Sequence, residues 1–225
     1  MLIRLLLKIG LFLGFTIAES AMFRFDKAPI KTIVYSSSLW LSASPSIDPI
    51  SENRLMFQTG YSSIFNKQID DYWFYPNIDI GVKISKNLCL TTKAYGFSTG
   101  KDHPQILGAG MQYYFGTNND TLDWSTCIQR VDLKGLEHFR LTSITFDIRK
   151  WLSFNFMRLR VGAGSNFFKE YSYTENFDSP NRIEGQINFI GLDMMIPLPI
   201  FIVGIETRMN LRRSSATIFL QKEIF

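Results

Sequence analysis

Cysteine is almost missing from this chain of 225 residues, which carries only Cys89 and Cys127. Two cysteines build no disulfide framework, so packing and hydrogen bonds must hold the fold, and both are expected to remain free thiols. Histidine is as scarce, at His103 and His138. Two distant histidines and two separate cysteines give no convergent ligand spacing, so neither a metal nor a cofactor is expected. Beyond residue 21 no apolar run reaches the roughly 20 residues that a spanning helix needs, which excludes a helical membrane protein. No glycine-rich phosphate cradle joins a strand to a helix. A segregated basic face is missing too. The net charge is +4, but Lys and Arg are interspersed with acids, so nucleic acid is not an expected partner.

What the chain does have is aromatic weight: 15% Phe, Trp and Tyr, with 20 Phe, at a mean hydropathy of only +0.02. That combination fits a sheet whose apolar residues occupy every second position, because alternation hides a continuous apolar face from any average. One domain, or one barrel with a short extension, accounts for the length. At the start, Arg4 and Lys8 precede an apolar stretch from Ile9 to Ala18, and Ala18-Glu19-Ser20-Ala21 offers small residues to a peptidase. This is the order of a cleavable secretory signal over residues 1–21, its apolar part too short to span a bilayer. The mature chain is expected to begin at Ala21 or Met22.

From Asn53 onward the dominant period is two. Ile78, Ile80, Val82 and Ile84 alternate with Asn77, Asp79, Gly81, Lys83 and Ser85. Leu107, Ala109, Met111, Tyr113 and Phe115 oppose Gly108, Gly110 and Gln112, and Ile144, Phe146 and Ile148 oppose Thr145, Asp147 and Arg149. The same contrast sets Leu159 and Val161 against Arg158 and Arg160, and Val203 and Ile205 against Glu206 and Arg208. So many charges on one face cannot enter a dry core. The face is either the wet side of a secreted sandwich or the lumen of a lipid-facing barrel. Segment length favours the barrel, since these segments run about twice the usual 5 to 6 residues of a sandwich strand.

The pattern predicts strands at 53–65, 75–86, 88–98, 105–116, 122–130, 139–149, 152–166, 183–196, 200–211 and 215–225. That is about ten, with eight and twelve as the neighbouring even counts. Lys86-Asn87, Arg149-Lys150-Trp151 and Pro197-Leu198-Pro199 read as tight turns. Asn66 to Phe74, Thr99 to Pro104 and Lys169 to Arg182 read as longer loops, and a bulge is expected near Ile190 to Leu192. Residues 22–52 form an N-terminal arm, periplasmic or lumen-lying, in which Thr32 to Ala43 could instead be an eleventh strand.

With its signal-like leader, long dyad strands, terminal Phe225 and aromatics near strand ends (Tyr72-Trp73-Phe74-Tyr75, Tyr113-Tyr114-Phe115, Trp124, Trp151 and Phe167-Phe168), the chain resembles bacterial outer-membrane β-barrel proteins as a class. The resemblance implies an all-β antiparallel transmembrane barrel over 53–225, outer-membrane lipid as partner, and recognition of the C-terminal strand by the barrel-insertion machinery. In the class that strand carries apolar residues at alternate positions before the aromatic, whereas Gln221 and Glu223 occupy them here. The lumen-facing candidates are Asp79, Lys83, Lys93, Asp147, Arg149, Arg158, Arg160, Glu184, Glu206 and Arg208. About ten strands enclose a narrow lumen, which Gly108, Gly110, Gly162 and Gly164 would help to widen. Opposed charges there are expected to pair and close it, leaving a structural or surface-interaction role. The alternative is a narrow channel or small-solute transporter. A remoter one is an outer-membrane hydrolase, because Asp70-Asp71 and Asp102-His103 fall in presumed outer loops and loosely resemble the acid pairs of ten-stranded outer-membrane proteases. Glu137-His138 has no nucleophile beside it. The sequence names no catalytic residue and no oligomeric state.

Overall fold

A computed structural model describes residues 30–66, 73–98, 102–116, 122–173 and 182–224. The signal-like segment 1–21, Asp70, Asp71 and Phe225 lie outside them. Among the described residues there are one helix, α1 (Ile30–Leu41), and ten strands: β1 (Leu55–Asn66), β2 (Trp73–Lys83), β3 (Leu88–Gly96), β4 (Gln105–Phe115), β5 (Trp124–Lys134), β6 (Phe139–Ser153), β7 (Arg158–Ser172), β8 (Arg182–Pro197), β9 (Ile202–Met209) and β10 (Arg213–Ile224). Each strand pairs antiparallel with its sequence neighbours, and β1 with β10 closes the ring. Closure leaves no sheet edge, as a spanning sheet requires where lipid supplies no hydrogen bonds.

Alternation turns one face outward and one inward on every strand. Phe57, Ile78, Leu107, Ile128, Phe146, Val161, Ile190 and Ile218 are exposed on the outside, while Asp79, Asp147, Arg149, Asp193 and Arg208 are buried inside. The wall is therefore built for lipid without and polar chemistry within.

Several expectations change. Arg149-Lys150-Trp151 is no turn: β6 runs on to Ser153, and the chain reverses at residues 154–157, with Phe154 N–H bonded to Met157 O at 2.9 Å. Two phenylalanines in that turn disguised it as strand. The bulge at Ile190 to Leu192 is not there either, since β8 keeps one register against β7 and β9 throughout. The slip in pattern comes from Phe189, an apolar side chain facing the lumen in the room left by Gly164. Adjacent aromatics cannot both face out, so Tyr75, Tyr114, Trp151 and Phe168 are buried inside the barrel rather than in an interfacial girdle.

Residues Thr32 to Ala43 are not a strand. Most of them belong to α1, which lies within the barrel. Its serines and β-branched residues are weak helix formers, so packing sustains it: Ile33, Val34, Leu39, Trp40 and Leu41 join a core with Ile64, Tyr75, Ile106, Leu133, Phe139, Phe168 and Ile187 of the wall. Ser42 Oγ donating to Leu39 O (2.6 Å) and Ala43 N–H donating to Trp40 O (3.0 Å) end the helix, and Pro45 prevents its continuation.

Candidate functional site

The arm crosses the lumen lengthwise. Lys31 is exposed at the end of the barrel where the longer loops lie, and Tyr35 packs edge-on against Phe168 at 4.7 Å. Trp40 stacks on Tyr75 (4.6 Å) and donates its indole N–H to Pro76 O (3.1 Å). From Ser42 the chain runs extended past the middle of the barrel. Ile47 packs with Met56, Cys89 and Tyr114, and reaches into the space where a side chain on Gly81 would stand. It leaves at the other end, where Lys83 Nζ donates to Ser51 O (2.5 Å) and Asp48 pairs with Arg158.

The wall grips this segment chiefly through its carbonyls. Gln129 Nε2 reaches Ser42 O and Ala43 O, both at 2.9 Å, and Gln112 Nε2 reaches Pro45 O at 2.7 Å. Arg160 donates to Ser44 O (3.3 Å) and Pro45 O (3.2 Å), and Tyr114 Oη to Ile47 O (3.2 Å). An extended segment cannot satisfy its own backbone, so donors on the wall do it.

Around the arm stands a compact ion network. Arg149 Nη1 donates to both carboxylate oxygens of Asp193 (2.9 and 2.8 Å), and its Nη2 lies 3.2 Å from Asp147 and 3.8 Å from Glu206. Arg160 Nε donates to Asp193 at 2.5 Å. Arg208 donates to Glu206 Oε1 through Nε (2.8 Å) and Nη2 (2.6 Å), and reaches Ser42 and Ser44 of the arm. Three guanidinium groups thus face three carboxylates, all buried. Glycine makes this possible at one point: a Cβ on Gly191 would meet the Arg149 guanidinium at 2.5 Å. Lys93 pairs separately with Asp79 at 2.7 Å.

Nine of the ten lumen-facing candidates lie on the inward face: Asp79, Lys83, Lys93, Asp147, Arg149, Arg158, Arg160, Glu206 and Arg208. Glu184 does not. It faces outward on β8 and pairs with Arg182 and with Lys169 (3.5 Å). The inward residues of β8 are its odd ones, Ile183, Ile187, Phe189 and Asp193, so Glu184 shares the outer face with Ile190 and Leu192. The sequence reading missed Asp193, which joins two of the arginines. Its signal was present as an acid two residues beyond Gly191, but the expected bulge obscured its face.

Of the hydrolase candidates, Asp70 and Asp71 lie outside the described residues. Asp102 accepts the Glu137 backbone N–H (2.8 Å) and His103 N–H donates to Gly135 O (3.0 Å), so this pair ties together two loops. Among the described residues no group of three His, Cys, Asp or Glu side chains could hold a metal ion. Cys89 and Cys127 are buried and unbridged.

No protein-family model matches the chain, and no curated protein does. Some solved structures are similar to it at low identity. Neisserial surface protein A is similar at 9% identity over 77% of this chain and 98% of that one, with a TM-score of 0.36. Ail of Yersinia pestis, solved with the heparin analogue sucrose octasulfate, matches at 12% over 77% and 98%, with a TM-score of 0.32. The translocator domain of the autotransporter NalP from Neisseria meningitidis matches at 10% over 86% and 94%, with a TM-score of 0.41.

Proposed function

We propose that this chain is an outer-membrane barrel whose lumen is closed by its own N-terminal arm and by charge pairing, and whose role is structural or surface-directed rather than conductive. The observation that carries this reading is the occupied lumen. Residues 30–50 run through it, their carbonyls are bonded to the wall, and the arginines around them are matched by acids. A water-filled path for ions would have to replace those bonds.

The orientation follows from the loops. Short turns belong to the periplasmic side of such barrels and longer loops to the outside. The turns at 84–87, 154–157 and 198–201 would then face the periplasm, and the start of α1 would open toward the exterior.

The test is conductance of the purified protein in a planar bilayer at several salt concentrations. The unmodified barrel should show little or none. Replacing Arg158 and Arg160 together by serine removes the Asp48 pair and two donors to the arm, and should raise conductance by loosening it. A large steady conductance in the unmodified protein would refute closure and favour the channel reading, with anion preference identifying the arginines as its selectivity group.

A further inference from the structure

The outer wall is not uniform around the barrel. On β1 and β2 aromatic residues reach almost to the long-loop end, as at Phe65 and Phe74. On β5 to β8 the apolar band stops earlier, at Ile128, Ile144, Phe167 and Ile190, and polar outward positions continue above it. The register sets Arg140 directly beside Tyr171, and Tyr171 beside Arg182, across β6, β7 and β8. Lys169 follows one outward position below, next to Phe167.

Three cations converge on one ring there. Arg140 lies 4.6 Å from the Tyr171 centroid, Lys169 4.8 Å and Arg182 5.7 Å. Attraction to the ring is weak at an exposed site and does not cancel the mutual repulsion of three like charges. Among the described residues a single carboxylate, Glu184, pairs with two of them. The cluster keeps an excess of positive charge, presents the fork geometry that suits phosphate oxygens, and sits immediately above exposed apolar side chains.

We propose that this patch on β6 to β8 is a binding site for the phosphate of a negatively charged lipid in the surrounding leaflet. Arg140, Lys169 and Arg182 hold the phosphate, and Phe167 and Ile144 lie against the acyl chains. The apolar half of the patch commits the site to an amphiphile rather than to a free anion: Phe167, the next outward residue below Lys169, is 48% exposed, and Ile144, beside it on β6, is 42% exposed. The proposal rests on the outer-membrane reading for its leaflet, but its test does not depend on cellular location.

The refolded protein in maltoside micelles, checked for its heat-modifiable barrel form, is offered diphosphorylated lipid A, the same lipid stripped of phosphate, and inorganic phosphate, with retention read by native mass spectrometry. Lipid A should be retained, and the Arg140→Gln, Lys169→Gln, Arg182→Gln triple variant should retain it at least tenfold less. Lys222→Gln, at the opposite rim, should match the unmodified protein. The stripped lipid should bind no better to the unmodified protein than to the triple variant, and inorganic phosphate at matched concentration should not displace lipid A. Equal retention of lipid A by the triple variant would overturn the site. Retention of the stripped lipid as strong as that of lipid A would overturn the phosphate assignment, and displacement by inorganic phosphate would overturn the lipid one. Recovery of the native protein away from the outer membrane would count against the proposed function and leave these binding outcomes unaffected.

Discussion

Asp193→Asn separates the charge network from packing, because asparagine keeps nearly the same volume while it removes the charge and turns one acceptor oxygen into a donor. Asp193 is fully buried and accepts from Arg149 twice and from Arg160 once. Without its charge, three buried guanidinium groups share two carboxylates, Asp147 and Glu206. Removing one partner of a buried pair costs about 3 to 5 kcal/mol, since the other charge stays desolvated and uncompensated. Coulomb's law agrees in scale: a pair about 4 Å apart is worth about 4 kcal/mol at an effective dielectric of about 20. The assay is urea unfolding of the barrel in lipid vesicles, followed by tryptophan fluorescence, with midpoint and slope compared between variants. Asp193→Asn should lower the midpoint strongly, and adding Arg160→Gln should restore part of the loss through coupling of the two sites. Glu184→Gln, on the outer face, should leave the midpoint nearly unchanged. Equal midpoints for the Asp193 and Glu184 variants would refute the reasoning and imply a lumen wet enough to screen its charges.

Other perturbations address the wall, the lumen and the orientation. Phe146→Arg, outward at the centre of β6, should cost about 2 to 4 kcal/mol in vesicles, whereas Val82→Arg, one residue from the end of β2, should cost about 0 to 1 kcal/mol by the same unfolding assay. Gly191→Ala places a methyl group against the Arg149 guanidinium and should destabilise by about 1 to 3 kcal/mol; an unchanged unfolding midpoint would mean that Arg149 moves freely. A membrane-impermeant maleimide applied to whole cells should label Lys31→Cys but not Ser85→Cys, and the reverse pattern would invert the barrel. The buried Cys89 and Cys127 should stay unlabelled in the same gel.

The strands were legible because lipid and lumen impose opposite chemistry on alternate residues. Asp147, Arg149, Arg160 and Arg208 could be assigned to the lumen with no structure in hand, since each alternates with Ile, Leu, Val or Thr. Errors arose where that contrast fails. Phe154 and Phe156 occupy a turn, Phe189 points into the lumen over Gly164, and Glu184 lies beyond the lipid band, where an outward charge costs little. The arm was harder still. Its helix packs into an apolar part of the lumen toward the long-loop end, and neither helix nor strand propensity in Ser36-Ser37-Ser38 reveals that such a partner exists.

The arm and the charge network close one lumen and depend on each other. A guanidinium has five N–H donors, and a carboxylate partner occupies only some of them. Arg160 spends Nε on Asp193 and both terminal nitrogens on the Ser44 and Pro45 carbonyls, while Arg208 divides its donors between Glu206 and the hydroxyls of Ser42 and Ser44. The three acids balance the charge, and the arm supplies further acceptors to Arg160 and Arg208. Withdrawing the arm would therefore leave donors that only water could satisfy, and water in the lumen would screen the very ion pairs that hold the strands together. The serines and prolines of residues 42–49 suit this work. They expose a backbone that does not fold on itself, and they add hydroxyl acceptors small enough to lie against Arg208.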